Sequence, residues 1–327
     1  MNAERTNWLK VATQIRGSVI PAVRYRVFWC GMFGVFISIL YVYNLPVSYP
    51  ILGTLIPTIV LGLLLVFRTN TAYDRFWEGR RLWGSMNNNV RNLSRQIWVG
   101  VITSSPEAQA EKVGVMRLLI AFTIATKLQL RDEPVNEELR ELLPESKFIQ
   151  LQNINHPALG IAFWIGDYLQ QQYQNNAINA HQLETMQQLL SSLVDCLGGC
   201  ERILRTPIPL AYVIHLKQLL LIYCLLLPFQ LVQSLNLLTG LVVALISFTL
   251  LGIEEIGVEI ENPFGYDAND LPLNKMCATM HHNLENLMTL TPTMQNPLIN
   301  SLPSSGEYLT PEETTNNIIA NSKPNDL

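Results

Sequence analysis

The chain has 327 residues, 49% of them hydrophobic and only 15% charged, against about 25% charged in an average soluble domain, yet its mean hydropathy of +0.19 is too low for a protein made of membrane spans alone. Part of it belongs in lipid and part in water. The net charge of -4 and the pI near 5.8 exclude the basic face that a nucleic-acid partner needs, and five cysteines, an odd number without zinc or disulfide spacing, exclude a disulfide framework.

Residues 1–27 carry Arg5, Lys10, Arg16, Arg24 and Arg26, with Trp8, Val11, Ile15 and Val19 at helical spacing, which predicts an amphipathic cytoplasmic helix lying at the bilayer. The basic stretch is too long for a signal peptide and no small-residue cleavage site follows it. Residues 28–67 read as a first transmembrane hairpin. Phe28 to Tyr43 has Trp29, Tyr41 and Tyr43 as interfacial anchors, Asn44 to Pro50 is an uncharged return, and Ile51 to Phe67 carries no charge at all. That second run passes without a helix breaker into an arginine- and aromatic-rich segment reaching Trp83, so one helix is expected to run through both.

Residues 68–205 have the composition of a soluble helical domain, with Val115, Leu118 and Phe122, and later Leu189, Leu193, Cys196 and Leu197, at helical spacing. Loop signals fall at Thr103 to Glu107, Asp132 to Pro134, Pro144 to Ser146 and His156-Pro157. Residues 206–257 read as a second hairpin. Its third span is expected to start near Leu219, because His215 and Lys217 interrupt the earlier apolar run, and its fourth covers Leu237 to Ile253. Residues 258–290 hold an acidic motif and an amphipathic helix, and residues 291–327, rich in Pro, Asn, Ser and Thr, read as a flexible tail. Neither short turn contains Lys or Arg, so the positive-inside bias puts both termini and the middle domain in the cytoplasm of a multi-pass cell-membrane protein. The expected fold is all-α with four transmembrane helices.

No catalytic constellation appears. His156, His181, His215, His281 and His282 do not share a face with an acid, and no serine sits in a nucleophile elbow. An enzyme is not expected and no cofactor is required. Ile59, Leu63 and Phe67 lie four apart on one stripe of the second span. Around a shared axis, several copies would stack them into apolar rings that gate by dewetting; the same spacing serves equally a helix-packing or lipid-facing surface. Pro57 frees the carbonyl of Gly53, a polar group tolerated at membrane depth in protein or beside water.

The run Phe67-Arg-Thr-Asn-Thr-Ala-Tyr-Asp-Arg-Phe-Trp-Glu-Gly-Arg-Arg-Leu-Trp-Gly84 resembles the signature of bacterial bestrophins. Thr206-Pro-Ile-Pro-Leu-Ala-Tyr212 is similar to the family's return to the membrane, and Glu261-Asn-Pro-Phe-Gly265 with Asp267 and Asp270 to its post-membrane acidic motif. The resemblance implies a homopentameric ion channel in the lipid bilayer, passing small monovalent ions through one central pore. Matching Arg75, Phe76 and Trp77 to the family's Arg-Trp-Trp implies a hydrophobic neck at Ile59, Leu63 and Phe67 and a cytosolic aperture at Ile208.

Two departures bear on function. Animal members hold calcium with an acidic run that is broken here, leaving Glu259, Asn262, Asp267 and Asp270 as a possible calcium site, since calcium accepts six to eight oxygens; these carboxylates could instead cap the next helix. Leu63 stands where animal members place an aromatic ring, whose positive edge would favour an anion. The resulting expectation is a passive anion channel, chloride-like in preference. A monovalent cation channel of the same fold, a non-conducting scaffold and a membrane-bound enzyme are the alternatives.

Overall fold

The computed structural model describes residues 10, 12–49 and 55–292, among which there is no strand. Helices α1 (Ile20–Val42) and α2 (Leu55–Gly100) are followed by α3 (Pro106–Leu130), α4 (Glu137–Arg140), α5 (Glu145–Gln152), α6 (Pro157–Gln174) and α7 (Ala180–Arg205). Then come α8 (Leu210–Leu235), a 3-10 turn at Asn236–Leu238, α9 (Thr239–Glu261) and α10 (Leu273–Met288).

By length and hydropathy three stretches could cross a membrane: Ile20–Val42, Pro106–Leu130 and Leu210–Glu261, the last containing both α8 and α9. The middle one, α3, has the hydropathy of a span and the surroundings of a core helix. Its most apolar window is 78% buried inside the chain, packed among the second half of α2, α6, α7 and α10. A helix apolar on all sides is one enclosed on all sides. Ser105 caps it, accepting a hydrogen bond from the Ala108 N–H at 3.2 Å. The second expected span is the start of α2, a single 46-residue helix about 70 Å long at 1.5 Å per residue; its apolar part ends at Phe67 and the helix continues unbroken through Arg68 and Arg75.

α1 and α9 meet through small residues. A Cβ placed on Gly34 would lie 2.9 Å from the Cα of Gly240, and one on Gly240 would lie 3.0 Å from the carbonyl oxygen of Gly31. Without a hydrophobic drive between helices in lipid, this close backbone approach gains dispersion contacts instead. Ser38, 1% exposed, adds hydrogen bonds to the carbonyls of Gly34 and Asn236 at 2.9 and 3.0 Å.

Several expected boundaries shift. The amphipathic helix over residues 1–27 does not extend that far: residues 1–9 and 11 lie outside the described residues, the chain turns at Thr13 to Ser18 with Gly17 at φ +79°, and Ile20 onward already belongs to α1, with Pro21 in its first turn. The third span, expected from near Leu219, lies within a longer helix that begins at Leu210, with His215 and Lys217 in its first turns. The tail from residue 293 and Gly53, whose carbonyl Pro57 was expected to leave without its helical donor, lie outside the described residues. Trp83, Leu93, Phe122 and Leu193 are among the fully buried side chains of the helical domain, and all five cysteines are free thiols.

An apolar stripe and a charged junction as candidate functional site

α2 presents two different faces over its apolar part. Leu61 and Leu65, each 3% exposed, pack on Leu216 and Leu220 of α8. Ile59, Leu63 and Phe67 point the other way and are 59, 53 and 54% exposed. Packing within the chain therefore does not explain the stripe.

Where the apolar part of α2 ends, three segments distant in sequence converge. Arg68, 2% exposed, lays its stem on Gly257, where a Cβ would stand 3.2 Å from the arginine Cγ. Its Nη2 donates to Glu261 Oε2 at 2.8 Å. The other carboxylate oxygen accepts the backbone N–H of Ile208 at 2.9 Å, so one glutamate holds both the end of the apolar helix and the Pro-Ile-Pro turn. Arg75 works on backbone: its Nε donates to the Glu261 carbonyl at 3.1 Å, its Nη2 to the Ile203 carbonyl at 2.6 Å and its Nη1 to the Thr206 carbonyl. These acceptors lie at the C-terminal ends of α7 and α9, which carry unpaired carbonyls and partial negative charge. Ile208 itself is 9% exposed in the single chain. Phe76 packs against the domain core, and Trp77, 45% exposed, stands edge-on to Tyr73.

The Asn-Pro-Phe-Gly motif docks on the same helix one turn further on. Phe264 is fully buried against Gly79, where a Cβ would come within 2.9 Å of Pro263. Arg131 grips the motif by donating to the carbonyls of Phe264 and Gly265 at 3.0 and 2.9 Å and stacks on Tyr266. Arg68, Gly79 and Arg131 did not stand out from sequence; for Arg68 alone there was a usable signal, a lone charge ending the uncharged run of the second expected span.

The acidic loop closes on itself. Asp270 Oδ2 accepts the Asp267 N–H at 2.8 Å, Glu259 Oε2 accepts from the Asn269 amide at 2.7 Å, and Asn262 Oδ1 accepts the Phe264 N–H at 3.4 Å. The alternative in which these acids cap the next helix is not what forms: Pro272 precedes α10 and no side chain caps it, because the Asp270 carboxylate is turned back into the loop. Among the described residues no group of three or more His, Cys, Asp or Glu could hold a metal ion; Asn262 and the backbone carbonyls, which calcium also accepts, fall outside that set. Burial, more than the neighbouring Asp267 and Glu259, raises the Asp270 carboxyl from 3.8 to about 6, against the opposing pull of the Asp267 N–H and Arg131. An acid raised in the folded state contributes stability that is complete below pH 3.8 and is lost as pH rises through about 6. Asp270→Asn, which keeps an acceptor for the Asp267 N–H, is expected to melt higher than the parent at pH 7, with the gap closing as pH falls toward 4; thermal melts across that range check it.

The family model described as bacterial/fungal bestrophin protein matches residues 1–286. The chain belongs to the bestrophin family. It is 60% identical over 295 residues to a voltage-dependent anion channel-forming protein of Nostoc sp., covering 90% of this chain and 96% of that one, and 55% identical over 288 residues to a protein of the same description from Synechocystis sp., covering 88% and 94%. A solved bacterial bestrophin homologue from Klebsiella pneumoniae superposes with a TM-score of 0.75 at 31% identity, covering 83% of this bestrophin and 100% of that chain. With these relatives and its apolar helices, this bestrophin is a membrane protein, and the two named relatives are described as anion channel-forming proteins.

Proposed function

We propose that this bestrophin forms a homopentameric channel in a cell membrane that passes monovalent anions such as chloride passively. The observation that carries the reading is the two-faced apolar part of α2: one face is filled by α8 and the other, Ile59, Leu63 and Phe67, is left bare, as a lining shared among copies must be. The relatives named as anion channel-forming proteins supply the ion class. In this reading α1, the start of α2, α8 and α9 cross the membrane, the helical domain and both termini are cytoplasmic, the stripe is the neck and the turn at Ile208 is the aperture. The uncharged short connections at residues 44–50 and 233–238 support that orientation.

A monovalent cation channel is the second reading, favoured by the aliphatic Leu63 at the neck and by the carboxylates of Glu259 and Asp267 beyond it. Purified protein in liposomes under a salt gradient decides between them, because the sign of the reversal potential reports selectivity directly. Mass measurement in mild detergent is expected to give five copies; one or two would sink the pore. Calcium at the acidic loop is tested separately. A calcium-dependent rise in melting temperature that disappears in Asp267→Ala with Asp270→Ala would place the ion there, and equal shifts in parent and variant would leave the loop a purely structural closure.

A further inference from the structure

α1, α8 and α9 leave between them a cleft of about 500 Å3 that takes no part in the stripe or in the Arg68–Glu261 junction. Its walls are apolar and open: Trp29, Leu221 and Leu225 are 69, 59 and 42% exposed. Its rim is basic, with the side chains of Arg26 and Lys217 52 and 53% exposed. Beneath the rim lies Glu254, only 2% exposed. Arg26 Nη1 donates to Glu255 Oε2 at 3.0 Å and stands 3.9 Å from Glu254 Oε2, while Lys217 Nζ stands 3.7 Å from Glu254 Oε1. The last two separations are too long for hydrogen bonds, and Glu254 Oε1 has no hydrogen-bond partner. Lys217 has three N–H donors and Arg26 five, most of them unused. The cleft therefore lacks acceptors at its rim and a single donor at its floor.

We infer that this cleft binds an anionic phospholipid with free hydroxyls in its headgroup, of which phosphatidylglycerol is the simplest. The phosphate supplies acceptors to Arg26 and Lys217, a glycerol hydroxyl donates to Glu254 Oε1, and the acyl chains run along Trp29, Leu221 and Leu225. A headgroup with no donor leaves the buried carboxylate oxygen unsatisfied, which is costly where water is scarce, and a headgroup without net charge gains little from two cations at a membrane border. The assignment rests on the four-span reading, which brings the cleft to the cytoplasmic edge of the bilayer.

Native mass spectrometry of the intact protein in mild detergent, titrated with phosphatidylglycerol and with phosphatidylcholine, tests it. The parent is expected to hold phosphatidylglycerol about tenfold more tightly, as two basic residues at an anionic surface allow. Arg26→Gln, Lys217→Gln and Glu254→Gln combined with Glu255→Gln, which removes both cations together with the two carboxylates they face, should lose that preference. Leu221→Trp, which fills the cleft from an exposed position, should lose both lipids. Equal binding of the two lipids by the parent, or a preference that survives the combined substitution, overturns the inference. So does a parent that retains no lipid and an oligomer that falls apart with Leu221→Trp, since a second copy of the chain would then occupy the cleft. The readout is bound mass rather than current, so a protein that fails to conduct ions leaves this test intact.

Discussion

Replacing Ile59, Leu63 and Phe67 together by alanine is expected to raise ion current in liposomes, or to open a channel that is silent in the parent. An ion passing three apolar rings sheds water without receiving a protein ligand, and a narrow apolar tube also tends to empty; smaller side chains widen the tube and ease wetting. The same three side chains are more than half exposed in the single chain. Their truncation should therefore cost well below the roughly 2–5 kcal/mol of a buried Leu→Ala change. The comparison is Leu61→Ala with Leu65→Ala on the opposite face, which removes packing against Leu216 and Leu220 and should lower stability without raising current. A neck variant that fails to assemble would return the stripe to a packing role. One that assembles and conducts like the parent, while Ile208→Ala conducts more, would move the limiting gate to the aperture.

The largest loss of stability is expected from Glu261→Ala. Arg68 is 2% exposed and its Nε and Nη1 already lack partners, so removing the carboxylate leaves a buried cation with nothing to compensate it, a change that typically costs about 3–5 kcal/mol. The Ile208 N–H loses its acceptor at the same time. Glu261→Gln keeps an acceptor for Ile208 and loses only the charge, so it should fall between parent and alanine. Arg68→Met with Glu261→Gln removes both charges and should recover much of the loss, since a buried ion pair replaced as a unit is close to neutral. Thermal unfolding followed with oligomer size ranks the variants. Parity between Glu261→Ala and the parent would mean that water, not Glu261, satisfies Arg68.

The pair Leu65 and Phe67 shows where sequence reasoning stops. Both are apolar, both lie in one uncharged run, and a helical wheel alone does not say which of two apolar faces is filled. α8 decides it by covering Leu61 and Leu65. The acidic loop is similar. Asp267, Asn269 and Asp270 were visible as oxygen donors, but the direction of the Asp270 carboxylate, back to the Asp267 N–H rather than onward to α10, depends on a tight turn at Gly265, where a Cβ would stand 2.7 Å from the Asp270 Oδ2.

The sequence by itself determined the helical class, the apolar runs, the continuity of α2 past Arg68 and the three family motifs, because composition, helical period and the absence of breakers are properties of neighbouring residues. Only the tertiary structure decided that α3, with the hydropathy of a span, is enclosed within the helical domain, that Arg75 ties the ends of α7 and α9 together, and that one face of α2 stays bare. The last two depend on partners more than a hundred residues away in the chain and the first on helices on either side of α3, and a periodic pattern specifies which residues share a face without specifying what lies against it.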